Sequence, residues 1–357
     1  MRNTILGMMK RAFPMLAVAC VLIGSCSATG APDNGDCFFF RSDDGRFLLS
    51  AVRIPAADPK GVVVVVGGRS ESWLEYGRLF RDLRRAGYTV YSYDHRGQGL
   101  SPHLLPQHPQ IGHVDDFRKY PHDLGAFLRE IHHREGSRPV NLIGHSMGAT
   151  VITEYLANQH TRGVGKVVLC SPMFRINTSP WPEPLARLVL ELLHLAGKGA
   201  CYAPGEHDAQ PDEPFGKNRV TSSPDQWQET LAFRRHHPEA VTGGASVDWV
   251  GQALSLAPSV RKDAERLGPE TLILLAGRDD LVIPWLPLTS DGNAAPSVMT
   301  FPDARHEILR ESDPIRDGAI GTIIAFLKAP VPQRPRAITL DRMAGNGHTS
   351  VTKQTPP

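Results

Sequence analysis

Residues 144 to 148 read Gly144-His145-Ser146-Met147-Gly148, a serine with glycine two places to either side. In a nucleophile elbow of this kind a strand turns into a helix so tightly that the flanking positions must lack a side chain, which leaves the serine hydroxyl exposed at the apex. The pattern alone is weak: a chain with this glycine and serine content shows it by chance about one time in six. Its context carries the assignment. Val140 to Ile143 precede it as a strand and Ala149 to Asn158 follow it as a helix, against the alternative of a Gly/Ser helix cap.

A serine hydroxyl attacks a carbonyl only when a base takes its proton, and that base must be oriented by a carboxylate. In one chain order of such triads the serine comes first, then the acid, then the histidine, the last two on loops after late strands. Thr271 to Leu275 read as a strand entering Ala276-Gly277-Arg278-Asp279-Asp280, and Ser297 to Phe301 as a strand entering Pro302-Asp303-Ala304-Arg305-His306. Of the 15 histidines, His306 alone lies just beyond a late strand and before the closing helix, so it is the expected base. The G-x-x-D spacing from Gly277 favours Asp280 as the acid, with Asp279 a solvated or salt-bridged neighbour and Asp303 a turn residue. The tetrahedral intermediate also needs two N–H donors for its oxyanion. One is expected from Met147. The other is expected from the loop Gly67-Gly68-Arg69-Ser70-Glu71-Ser72, with the Arg69 amide as the candidate and the Arg69 side chain left for a salt bridge to Glu71 or a neighbour.

The elements that must position these residues alternate along residues 37 to 328. Phe38 to Phe40 and Phe47 to Ile54, split by the turn residues Ser42-Asp43-Asp44-Gly45, predict an antiparallel hairpin. Val62 to Val66 predict a strand buried on both faces. Trp73, Tyr76, Leu79, Phe80 and Leu83 then recur at helical spacing up to Gly87. Strand and helix alternate again through Thr89 to Tyr93, Phe117 to Ile131, the elbow, and Lys166 to Leu169. This rhythm implies a mostly parallel sheet with helices on both faces, an α/β fold. From Pro172 to Gly268 it breaks into Pro-punctuated helical pieces, read as a helical cap inserted at about 172–268. There Trp181, Leu185, Leu188, Val189, Leu192 and Leu193 lie at helical spacing, either lining an apolar groove or packing onto the core.

Lys10 and Arg11 precede the apolar run Ala12 to Ile23, the layout of a signal peptide over residues 1–25 and too short for a comfortable membrane span. Ile23-Gly24-Ser25-Cys26 resembles a bacterial lipobox, in which Cys26 becomes the acylated first residue of an exported lipoprotein at the outer membrane or periplasmic face. Ordinary cleavage near Ala28 or Ala31 is the alternative, giving a free periplasmic or secreted protein. Residues 329–357 are Pro-rich, polar and aperiodic, the composition of a disordered tail. The formal charge of +2 belongs to these ends: without residues 1–25 the chain has 36 basic against 37 acidic residues, so a nucleic-acid footprint is not expected. Five cysteines are too few for a disulfide scaffold, and none forms a C-x-x-C zinc spacing. His132-His133 and His236-His237 are adjacent pairs that point to different sides of their helices, so no metal and no cofactor is expected.

The runs Val62 to Ser72, Tyr93 to Ser101, Gly144 to Gly148, Ser171-Pro172-Met173-Phe174 and Ala304 to Leu309 together resemble the bacterial lysophospholipase L2 group. These are relatives of the monoacylglycerol lipases within the α/β-hydrolase superfamily, of serine aminopeptidase S33 type. The resemblance covers about residues 45 to 328, and Val241 to Trp249 is similar to the family's cap segment. It implies an α/β-hydrolase fold and a serine esterase acting on a lysophospholipid or monoacylglycerol through an acyl-enzyme; the anchor that would bring it to a membrane surface is expected from the Cys26 run alone. It also implies that the loop Asp94 to Gly99 supports the site structurally. Two departures stand out. Many relatives have His-Gly where this chain has Gly67-Gly68, and they are not obviously lipoproteins. An aminopeptidase or small-ester esterase with the same triad is the alternative activity, and a non-catalytic scaffold the remote one. Dehalogenases and epoxide hydrolases place Asp where Ser146 stands.

Overall fold

The structure, a computed structural model, describes residues 35–158, 162–268, 270–285 and 295–330. The signal segment, Cys26 and residues 331–357 lie outside the described residues. Eight strands form one sheet in the order β1-β2-β4-β3-β5-β6-β7-β8. β1 (Asp36–Arg41) and β2 (Leu48–Ile54) make the expected hairpin, with Phe39 opposite Ser50. Its turn closes when the Gly45 amide donates to the Ser42 carbonyl at 2.8 Å. β2 runs antiparallel to β4 (Tyr88–Tyr93), and every later pair is parallel: β4 with β3 (Gly61–Val66), β3 with β5 (Val140–His145), then β6 (Val164–Cys170), β7 (Thr271–Ala276) and β8 (Ser297–Phe301).

Parallel neighbours need crossovers, and helices supply them. They are α1 (Gly77–Arg85), α2 (Lys119–Glu135), α3 (Met147–Asn158) and the closing α7 (Asp313–Lys328). Because side chains alternate along a strand, the valines of β3 divide between two cores. Val62, Val64 and Val66 pack with Phe127, Leu142 and Ile152 on one face, and Val63 and Val65 with Phe80, Ile143 and Ile323 on the other. Between β6 and β7 come α4 (Glu183–Leu195), α5 (Pro224–His236) and α6 (Val247–Ala264). α6 packs on α3 and places Trp249, Ala253, Val260 and Ala264 in the sheet core. α4 behaves differently. It buries Leu190, with Leu193 half-buried beside it, against Ala203, Val247 and Leu254 and leaves Val189 half-buried, while Leu185, Leu188, Leu192, Leu195 and the preceding Trp181 are 41–72% exposed, so most of the expected stripe does not pack onto the core.

The loop after β4 ties the pieces together. Asp94 accepts the Trp73 amide at 2.8 Å and the Leu100 amide at 2.7 Å, and Gln98 donates to the Gly68 carbonyl at 2.8 Å. Arg96 is 1% exposed and grips Asp123 of α2 with two bonds, Nε to Oδ2 at 2.6 Å and Nη2 to Oδ1 at 2.7 Å, while Nη1 reaches Asp44 of the hairpin turn at 2.9 Å. Removing one partner of a buried pair strands the other charge in a medium that cannot solvate it. Urea unfolding of Arg96→Ala is therefore expected to show a loss of about 3–5 kcal/mol. Arg118→Ala, which breaks an exposed pair with Asp116, should unfold at the wild-type urea concentration.

Candidate active site

β5 enters α3 through Ser146, whose φ of +51° lies in the left-handed region that a side chain rarely adopts. Two close approaches explain the glycines around it. A side-chain carbon on Gly144 would stand 2.7 Å from the Ala149 nitrogen, and one on Gly148 would collide with the Val66 carbonyl oxygen. The Ser146 main chain is fixed on both sides, its amide donating to the Cys170 carbonyl at 2.9 Å and its carbonyl accepting from Met173 at 3.1 Å.

The Ser146 hydroxyl meets His306 Nε2 at 2.8 Å, and His306 Nδ1 meets Asp279 Oδ2 at 2.7 Å. The acid position predicted for Asp280 is thus filled by Asp279. The reason lies in the path of the chain after β7. The strand pairing ends at Ala276 and the chain turns, pinned where the Gly277 amide donates to the Phe301 carbonyl and the Arg278 amide to the Ala304 carbonyl, and this turn decides which aspartate points inward. Asp279 falls on the inner side with its side chain 1% exposed, and Asp280 on the outer, exposed side. Asp279 Oδ1 also closes a turn, accepting the amides of Leu281 at 2.9 Å and Val282 at 3.0 Å. Burial alone would raise the Asp279 pKa, but the His306 ring and these two amides outweigh it and hold the carboxyl below its ordinary value. Asp303 makes no contact with His306 and sits in the exposed turn after β8.

Met147 is the first residue of α3, where an N–H has no intrahelical acceptor. Across from it, the loop after β3 comes so near that a side-chain carbon on Gly68 would stand 3.1 Å from Ser146 Cβ. In that loop the Gly68 amide donates to Glu71 Oε2 at 2.5 Å and the Ser70 amide to Gln98 at 3.3 Å, leaving the Arg69 amide between them. The Arg69 side chain does not pair with Glu71. Nη1 donates to the Gly243 carbonyl and to Ser70 Oγ, each at 2.8 Å, and the guanidinium lies 5.5 Å over the Trp249 ring, tying the loop to the segment before α6.

Glu71 instead meets His145, with Nδ1 to Oε1 at 2.7 Å, and the Glu307 carboxyl lies close by. The sequence links Glu71 only to Arg69 and assigns His145 and Glu307 no role; the three stand 74 and 162 positions apart, and the one local sign is an ionisable pair, His145 and Glu307, each adjacent to an expected triad member. Among the described residues they bring potential metal-ligand atoms within 4.8 Å of one another. Both His145 nitrogens, however, face hydrogen-bond acceptors, Glu71 and the His306 carbonyl, so neither presents a lone pair to an ion.

The S33 serine aminopeptidase family matches residues 57–313. The chain is 30% identical over 306 residues to lysophospholipase L2 of Escherichia coli (strain K12), covering 81% of this chain and 88% of that protein. It is 28% identical over 282 residues to the probable lysophospholipase L2 of Haemophilus influenzae, covering 76% and 85%. A soluble variant of monoglyceride lipase from Saccharomyces cerevisiae, solved with a substrate analog, superposes with a TM-score of 0.61 over 84% of this chain and 96% of that one; at 16% identity the likeness is one of fold. With eight strands in this order and a match over residues 57–313, the chain belongs to the serine aminopeptidase S33 family and has the α/β-hydrolase fold.

Proposed function

We propose that the chain hydrolyses the carboxylic ester of a lipid-like substrate, a lysophospholipid or monoacylglycerol, through an acyl-enzyme on Ser146. The observation that carries this reading is the unbroken relay from Ser146 Oγ through the His306 ring to Asp279, at 2.8 and 2.7 Å. His306 Nε2 takes the serine proton as Oγ attacks the ester carbonyl, and Asp279 holds the Nδ1–H and balances the imidazolium that forms. The amides of Met147 and Arg69 receive the oxyanion. His306 then gives its proton to the leaving alcohol, and a water activated by the same ring releases the acid.

The lipid character of the substrate is supported by the names of the relatives, lysophospholipase L2 and monoacylglycerol lipase, and by the exposed stripe on α4. The protein would work at a membrane surface as an exported lipoprotein acylated at Cys26, a proposal supported by the Ile23-Gly24-Ser25-Cys26 run and the basic, apolar segment before it. Aminopeptidase activity stays as a second reading because of the family's own description.

A panel of lysophospholipid, monoacylglycerol, p-nitrophenyl esters and aminoacyl anilides separates these activities; turnover of anilides alone would reverse the proposal. Ser146→Ala should lower kcat/KM by on the order of 10⁴-fold or more, and Asp279→Asn by about 10³ to 10⁴-fold. Asp280→Asn should stay within about threefold of wild type, since its side chain faces solvent. Placing Glu at Leu188 and Leu192 is expected to cut activity on vesicle-borne monoacylglycerol while leaving a water-soluble p-nitrophenyl ester unaffected, because the charges oppose lipid contact only. For the anchor, mass measurement of the mature N-terminus should find an acylated Cys26; a free terminus near Ala28 or Ala31 would exclude it.

A further inference from the structure

Beneath the triad lies a set of buried ionisable groups that the proposed reaction does not use. The His145 side chain is fully buried and that of Glu71 is 6% exposed. His145 Nε2 is 3.0 Å from the main-chain carbonyl oxygen of His306, an atom that can only accept, so Nε2 carries a proton. Nδ1 is 2.7 Å from Glu71 Oε1. The other oxygen of Glu71 accepts the Gly68 amide at 2.5 Å and the Tyr76 hydroxyl; together with the His145 ring these bonds outweigh burial and hold the carboxyl below its ordinary value, and an ionised Glu71 leaves Nδ1 a proton as well. The His306 carbonyl is held from a second side by Ser171 Oγ at 2.7 Å.

We propose that His145 is a positioning residue held as an imidazolium, a buried cation that joins the Glu71 carboxylate, and through it the Gly68 amide of the oxyanion loop, to the main chain of His306. The proposal rests on the reading of Ser146 and His306 as nucleophile and base. It assigns no contact between His145 and the substrate. The residue preceding the nucleophile and the residue bearing the base are tied to the loop that supplies an oxyanion donor, so the three loops cannot drift independently. Displacements of about 1 Å at such a centre can cost on the order of 100-fold in rate.

The His306 ring, itself titratable, stands 5.0 Å from the His145 ring, and the other charged or titratable groups around His145 come from four elements. Glu71 lies on the loop after β3, Tyr76 and Glu75 on the turn before α1, Glu307 next to His306, and Arg310 on the turn that follows. Glu75 is balanced by Arg310 at 2.9 Å. Glu307 has no such partner: its Oε2 is buried without a hydrogen bond, and desolvation pushes its pKa up to about 7. Burial also opposes charge on His145, but the Glu71 carboxylate overrides it and raises the imidazole pKa to about 10. The sign follows. The imidazolium is complete below its ordinary pKa of 6.5 and is lost only as the pH rises through about 10.

Two measurements test this. The first needs no substitution: nitrogen-15 spectra of histidine-labelled protein at about pH 8.5 should show both ring nitrogens of His145 protonated, although a free imidazole is neutral there. A single protonated nitrogen overturns the proposal. The second follows Glu71→Gln with a water-soluble ester. It should lose about 100-fold in kcat with KM within about threefold, and the alkaline fall of kcat should move at least about one pH unit below that of wild type, because the carboxylate that keeps His145 charged is gone. A variant that loses kcat with an unmoved alkaline limb would show a merely structural role and overturn the proposal. Ser146→Ala retaining activity would overturn the proposed reaction instead, an outcome separate from either of these.

Discussion

The helix that follows the nucleophile can leave β5 at its observed angle only because residue 148 has no side chain, since a carbon there would collide with the Val66 carbonyl at the end of β3. That contact seats the helix against two parallel strands whose chain order reverses beside it, the place where an open α/β sheet offers a crevice at its carboxyl ends. Val66 pairs with Gly144, so the loops leaving β3 and β5 start at the same level. The Arg69 amide and the Ser146 hydroxyl thereby belong to one site although 77 residues separate them in the chain. β7 and β8 extend the same edge and deliver Asp279 and His306 to it.

A second constraint is the burial of charge. Arg96 with Asp123, Arg310 with Glu75 and His145 with Glu71 are ion pairs at or below 2.9 Å, each near the loops that meet at the site. Such pairs add little net stability against apolar replacements of the same shape, yet they are costly to break singly. Their effect here is to fix geometry. Each joins segments distant in sequence: the hairpin turn and the loop after β4 to α2, the turn before α1 to the turn after His306, and the oxyanion loop to the nucleophile strand. The catalytic loops are thus braced by charges largely shielded from water.

Much of this was legible in the sequence because it is local. Five successive valines, glycines flanking Ser146, and strand-like runs before the two late loops mark the sheet and the ends from which the relay is built. The acid was missed by one residue. Choosing between Asp279 and Asp280 requires knowing how the chain turns after Ala276, and that is decided by the main-chain bonds at Gly277 and Arg278 and by the Leu281 and Val282 amides that Asp279 Oδ1 accepts. The α4 stripe shows a similar limit. Helical spacing identifies an apolar face but not what covers it, and α4 turns much of that face outward because only Leu190, with Leu193 half-buried beside it, packs against Ala203, Val247 and Leu254. Glu71, His145 and Glu307 were silent for a third reason: their meeting depends on three loops converging, which no spacing encodes.

The central claim is that an ester carbonyl is attacked by Ser146 and that the acyl group rests there before water removes it. Quenching the protein in acid during turnover of a long-chain p-nitrophenyl ester, followed by intact mass and peptide mapping, tests it most directly. The account predicts one added acyl group, on the peptide containing Ser146 and absent from Ser146→Ala protein. Steady turnover with the acyl group on another residue, or with the same adduct in Ser146→Ala protein, would contradict it.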